Sequence, residues 1–158
     1  TVQKNDLESD GLVFFREHRI RFQQELARKT RGLPKSIDKR LDLFCEKLET
    51  LINLKDEKPA LLHGDLWSGN HFPSHDQVPY IFDPAVYFGL READLAMTEM
   101  FGRLPEEFYS AYHEVFPTEP GYTERKDIYN LYHLLNHYNL FGGSYLEQAD
   151  QTVRSFLD

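Results

Sequence analysis

The sequence contains a single cysteine, Cys45, so no internal disulfide can form. That scarcity points to a reducing, cytoplasmic setting. No apolar run approaches the roughly 18 residues of a membrane-spanning helix, and no signal peptide opens the chain. Neither a membrane nor an export route is therefore expected. Basic residues are in the minority. The 18 Lys and Arg stand against 26 Asp and Glu, and a net charge of −8 is the wrong sign for a nucleic-acid surface. The seven histidines show none of the spacings that hold zinc. Repeats, low-complexity tracts and interdomain linkers are also missing, which leaves one domain over residues 1–158. Thr1 rather than Met opens the chain, so a processed, excised or truncated product is expected.

What is present suffices for a core: 41% of the residues are hydrophobic and 14% aromatic. After a polar, loose start over residues 1–10, a helix is predicted from about Leu12 to Lys29. Phe15, Arg19, Phe22 and Leu26 share one of its faces. Gly32 and Pro34 end it. Ser36 is placed to cap a second helix reaching about Leu54, along which Ile37, Leu41, Phe44, Leu48 and Leu51 keep a 3.6-residue period. Further on, a loop over 85–90 leads to a helix from about Glu92 to Phe101. Pro105 opens another, with Phe108, Tyr112 and Val115 on its apolar face. A long helix from about Glu124 to Phe141 carries Ile128, Leu131, Leu134, Leu135 and Tyr138 and belongs at the centre of the core. Gly142 and Gly143 stop it, and a last helix covers about Tyr145 to Leu157. The expected class is α+β, mainly helical, with one small β-hairpin that holds a polar loop.

That loop is the chemical centre. A short apolar strand (Ala60, Leu61, Leu62) runs into His63-Gly64-Asp65-Leu66-Trp67-Ser68-Gly69-Asn70. A turn near 74–77 follows, and a second apolar strand (Tyr80, Ile81, Phe82) delivers Asp83, with Pro84 directly behind it. Two acids and an amide thus stand at strand ends, where a rigid frame can hold them. The spacing His63-x-Asp65-x4-Asn70, then Asp83, is that of a protein-kinase catalytic loop followed by its magnesium-binding Asp. Its chance occurrence in a chain this long is on the order of 10⁻³. In such a site Asp65 orients the attacking hydroxyl and accepts its proton. Asn70 and Asp83 offer hard oxygen ligands to Mg²⁺. His63 suits a brace better than a catalyst, since its ring can bond backbone near Asp83. Gly64 and Gly69 permit the tight path. His71 and His75, close by, have no assigned role.

The segments LLHGDLWSGN, IFDPA, READLAM, MFGRLPEEFYSAYHEVFP and LLNHYNLFG, with FFREHRIRFQQELA near the start, resemble the fructosamine kinase (ketosamine-3-kinase) family over most of the chain. HGD with DPA alone would indicate only an aminoglycoside phosphotransferase-like or choline kinase-like protein. Trp67 and the LNHYN segment are the more specific signals. The resemblance implies a protein kinase-like fold that uses ATP and Mg²⁺ to phosphorylate a sugar hydroxyl on a ketosamine, an amine glycated by glucose or ribose. The unstable 3-phosphate then releases the free amine, which amounts to protein deglycation. By position, the resemblance makes Asp65 the base and Asn70 and Asp83 the magnesium ligands. Trp67 would pack on the sugar and His137 would help bind it. Asp94 would be the buried acid that fixes the loop by accepting backbone N–H bonds.

One departure from that family pattern is large. Only two predicted helices precede residue 63, and neither a glycine-rich phosphate loop nor a strand lysine of the V-A-I-K type is present. The chain is therefore expected to be the C-terminal lobe of a two-lobe kinase, with the N-terminal ATP-binding lobe as its missing partner and little activity alone. Two rival readings remain open: a kinase for another hydroxyl substrate such as an aminoglycoside, choline or a sugar, and a non-catalytic pseudokinase module that binds a ligand or partner.

Overall fold

The computed structural model describes residues 3–54, 57–73 and 78–158. The expected hairpin turn over 74–77, with His75, lies outside them. The chain opens with α1 (Gly11–Phe14), whose first turn is capped by Asp10 accepting from the N–H groups of Leu12 (2.8 Å) and Val13 (3.1 Å). A π-helical stretch (Phe15–Arg21) follows without a break, then α2 (Phe22–Thr30). The wider turn changes the buried face. Phe14 and Arg19, and Phe15 and Ile20, are five residues apart, and all four are buried. Beyond that point Gln23, Gln24 and Ala27 face inward, while Phe22 and Leu26, expected on the core face, are only half-buried.

Helix α3 (Lys35–Ile52) begins one residue before the expected cap. Pro34 occupies the N-cap position, and Ser36 already lies inside the first turn. The helix ends where Asn53 adopts a left-handed conformation (φ 44°). Leu41, Phe44 and Leu48 are buried as their period requires. Helix α4 (Glu92–Met100), α5 (Glu106–Val115), α6 (Tyr122–Phe141) and α7 (Tyr145–Leu157) complete the helical body. Helix α6 is central, packing against α2, α4 and α7 with Ile128, Leu131, Leu134 and Leu135 buried. The expected face of α5 is displaced. Tyr109 is its buried residue, with its hydroxyl 2.9 Å from that of Thr98, while Val115 is 85% exposed.

Among the described residues the strands are short and form two separate pairs. Strands β2 (His71–Pro73) and β3 (Pro79–Ile81) make an antiparallel hairpin, with His71 opposite Ile81. Strand β1 (Ala60–Leu62) pairs instead with β4 (Tyr87–Gly89), a strand within the segment expected to be loop. Three residues are too few to show a period of two. The fold is mainly helical with small antiparallel β elements. One buried ion pair sets the position of the site. Glu92, fully buried at the start of α4, receives two hydrogen bonds from Arg125 of α6 (2.7 and 2.9 Å) and one from the Tyr129 hydroxyl (3.1 Å). It fixes α4 on α6, and with it Asp94 two residues later. Among the described residues, no helix is long and apolar enough to cross a membrane.

Candidate active site

Strand β1 delivers the chain into a turn at Gly64, where φ is +80° and an added Cβ would lie 2.1 Å from the Ala85 carbonyl oxygen. Only glycine fits there. The turn is fastened from below by Asp94, whose two carboxylate oxygens accept the N–H groups of His63 (2.7 Å) and Gly64 (2.9 Å). Burial pushes the Asp94 carboxyl above the ordinary range, and these two bonds oppose that rise.

The same loop is tied to the Asp83 segment by three bonds. The ring Nε2 of His63 lies 3.0 Å from the Phe82 carbonyl, the Ala85 N–H donates to the His63 carbonyl (2.8 Å), and the Phe82 N–H donates to the Asn70 carbonyl (3.1 Å). They grip Asp83 from both sides in a left-handed conformation (φ 55°) that a residue other than glycine adopts only when its surroundings hold it. Asn70 is buried in the 3₁₀ turn Ser68–Asn70. Its Nδ2 donates to the carbonyl oxygen of Asp65 (2.9 Å) and to its Oδ2 (3.1 Å). Nearby, His71 Nδ1 lies 3.1 Å from the Ser68 carbonyl.

Burial is the main cause that raises the Asp65 carboxyl above its usual pKa. The Asn70 hydrogen bond and the charge of His63 pull it down, and the Asp83 carboxylate pushes it up. The oxygen donors of Asn70 and Asp83 form the hard, partly anionic set that suits Mg²⁺ bound also by phosphate and water. In that sense the residues present fit the metal.

On its other side Asp65 opens into a cavity of about 500 Å³ that Trp67 and His137 also line, so a residue of α6 meets two of the loop there. Asn70 and Asp83 do not line it. Gly69 makes room for Trp67, whose ring would lie 2.4 Å from a Cβ at that position. Trp67 meets Phe101 edge-on (6.4 Å between centroids), and Phe101, Phe141 and Tyr145 surround the His137 ring at 5.1 to 5.6 Å. His137 Nδ1 donates to the His133 carbonyl (2.7 Å), which in the neutral ring leaves Nε2 as an acceptor. His133 itself is buried and its pKa is pulled down to about 3, first by burial and then by the charges of His137 and Arg19. Phe101, Tyr132, His133 and Asn136 were not picked out as site residues from the sequence. His133 and His137 stand four apart on one helix, a spacing that could have flagged them together.

An acid whose proton affinity is raised, an amide hydrogen-bonded to its carboxylate and a second acid tied to the same loop through backbone are thus brought together. Comparison with known proteins defines the family. The sequence profile of the fructosamine kinases matches residues 1–158, and the chain belongs to that family. It is 46% identical over 158 residues to a probable ketoamine kinase of Synechocystis, and 43% identical over 157 residues to a protein-ribulosamine 3-kinase, designated chloroplastic, of Oryza sativa subsp. indica. These alignments take in 99% of this chain but 52% and 45% of those proteins. A crystal structure from Thermobifida fusca, assigned as a fructosamine-3-kinase, superposes with a TM-score of 0.88 at 34% identity, over 98% of this chain and 54% of that one. The chain thus spans about half the length of the relatives it matches.

Proposed function

We propose that this chain is the C-terminal lobe of a kinase-like enzyme that transfers the γ-phosphoryl group of ATP to a sugar hydroxyl of a ketosamine. One observation carries the reading. The Asp65 carboxylate is held by Asn70 on one side and lines an aromatic-walled cavity on the other, which suits a base set between a phosphoryl donor and an acceptor hydroxyl. The family names borne by the relatives support the substrate class.

In this mechanism the sugar enters the cavity and lies against Trp67, with His137 Nε2 available to one of its hydroxyls. Asp65 accepts a hydrogen bond from the attacking hydroxyl and takes its proton as the bond to phosphorus forms. Asn70 holds the Asp65 carboxylate in place. Magnesium bound by the oxygens of Asn70 and Asp83 would neutralise charge on the transferring group. Asp94 and His63 do no chemistry and keep the two loops in register.

The N-terminal lobe would complete the nucleotide cleft. The exposed apolar side chains of Leu61, Phe72, Ile81, Val86 and Phe88 beside the catalytic loop are surface of the kind such a lobe would cover. The test is turnover of fructosyl-lysine and ribulosyl-lysine with ATP. The full-length protein should phosphorylate one or both, and the 158-residue chain alone should show essentially none. A full-length protein that prefers an aminoglycoside or choline, or robust turnover by the lone chain, would contradict this account.

A further inference from the structure

Helices α2 and α6 pack against each other, and part of that interface is built from amides rather than hydrocarbon. Gln23 of α2 is 1% exposed. Asn139 of α6 donates from Nδ2 to the Gln23 main-chain carbonyl (2.9 Å) and to Gln23 Oε1 (2.8 Å). Gln23 Nε2 in turn donates to Oδ1 of Asn136, about one turn back along α6 (3.4 Å). Burying amides costs desolvation that an apolar contact avoids, and this set still leaves Asn139 Oδ1 buried without a partner. A helix pair that needed only stability would pack hydrocarbon here.

The relay of amides has one possible sense. A main-chain carbonyl can only accept, so Asn139 must turn its nitrogen toward Gln23. Gln23 Oε1 then faces Asn139, its Nε2 faces Asn136, and Asn136 must offer its oxygen. The free end is Asn136 Nδ2. Among the described residues it has no hydrogen-bond partner, and unlike Asn139 Oδ1 it keeps accessible surface. Asn136 lines the cavity alongside Asp65, Trp67 and His137, whereas Gln23 does not. The accessible end of the relay is thus a donor of fixed sense at the cavity wall. Beside it His133, three residues earlier on α6, also lines the cavity and is uncharged at neutral pH, because burial pulls its pKa down to about 3. An amide donor beside a neutral imidazole suits a neutral oxygen rather than an anion.

We propose that Asn136 is a specificity residue for the sugar-amine: its Nδ2 donates to a sugar oxygen that can accept but not donate, the keto carbonyl of the open chain or the ring oxygen of the closed form, and Gln23, held by Asn139, is the residue that positions it. A hydroxyl substrate without such an oxygen, choline among them, leaves the donor unmatched and is discriminated against. The inference rests on the ketosamine-kinase reading above.

The experiment is steady-state kinetics of the full-length protein on fructosyl-lysine and ribulosyl-lysine, comparing wild type with Asn136→Asp, Asn136→Leu and Gln23→Met. Asp has the same shape, still accepts from Gln23 and has no donor to give. Leu removes the donor without adding charge. Met keeps the bulk of Gln23 and the main-chain carbonyl that Asn139 uses, but releases Asn136 to turn either way. Both Asn136 variants should raise the ketosamine KM about tenfold or more, while kcat and the KM for ATP change less than about threefold. Gln23→Met should raise the same KM about threefold with Asn136 in place, although residue 23 does not line the cavity. An unchanged KM in Asn136→Asp or in Gln23→Met overturns the proposal. So does damage by Asp that Leu does not share, which would mean that the added charge alone matters. If Gln23→Met does not fold, the two Asn136 variants decide. If the wild type turns over no ketosamine, the functional reading fails and this inference falls with it. If it does turn one over, the variants judge Asn136 and its relay alone.

Discussion

Over residues 62–73 and 78–85 the chain is held in shape by polar bonds, whereas α3, α6 and α7 are held by buried hydrocarbon. The first region has three-residue strands, a 3₁₀ turn and a non-glycine residue at positive φ, and its polar grip comes largely from Asp94, His63 and Asn70. The second has long helices whose Leu41, Phe44, Leu48, Leu131 and Leu135 are buried together. A polar clamp can place a carboxylate to within a bond length but contributes modest net stability. The helical body supplies the stability and leaves the clamp free to serve geometry.

Substitutions can separate the two roles. Phe44 is fully buried and touches Phe156 edge-on across α3 and α7. Phe44→Ala should cost about 3–5 kcal/mol in chemical denaturation. The fraction that stays folded should keep its ketosamine KM, since Phe44 does not line the cavity. Asp94→Ala should cost less, about 2–4 kcal/mol, because two backbone N–H groups lose their acceptor. Unlike the core change, it should also cut kcat in molecules that remain folded. A kcat unchanged in Asp94→Ala would show that the loop holds its shape without the clamp.

The smallest effect is one of pH. Asp65 must be ionised to accept a proton, and its folded pKa is raised by burial and by Asp83. Activity is therefore lost as pH falls through a value above that of an ordinary aspartate. Asp83→Asn removes one cause of the rise and should move the acid limb downward in whatever activity remains. A limb that does not move would mean that Asp65 is not the titrating base.

The same contrast explains what the sequence disclosed. Helices α3 and α6 carry enough periods for their buried faces to be read directly. The spacing of His63, Asp65, Asn70 and Asp83 stood out because phosphoryl-transfer chemistry restricts residue type at fixed offsets, and the structure does bring Asp65 and Asn70 into contact. Strand β4 did not, since three residues carry no period and its partner β1 lies 25 to 29 residues earlier in register, with Leu62 opposite Tyr87 at the nearest. The face of α2 was misjudged because a π-helical stretch upstream rotates everything after it, and no local residue announces that turn. Nor does anything local reveal that the buried Arg19 holds Lys4 and Asn5, 15 and 14 positions earlier. Positions set by long-range polar contacts are visible only once the contacts are.

The measurement that bears most directly on the central claim is phosphoryl transfer by full-length Asp65→Asn, set beside its melting temperature and its affinity for the ketosamine. Asn fills the same space and cannot take a proton. The account predicts that kcat falls about 10²- to 10⁴-fold while the melting temperature and substrate affinity stay close to wild type. A variant that folds, binds and still transfers phosphate at the wild-type rate would contradict it.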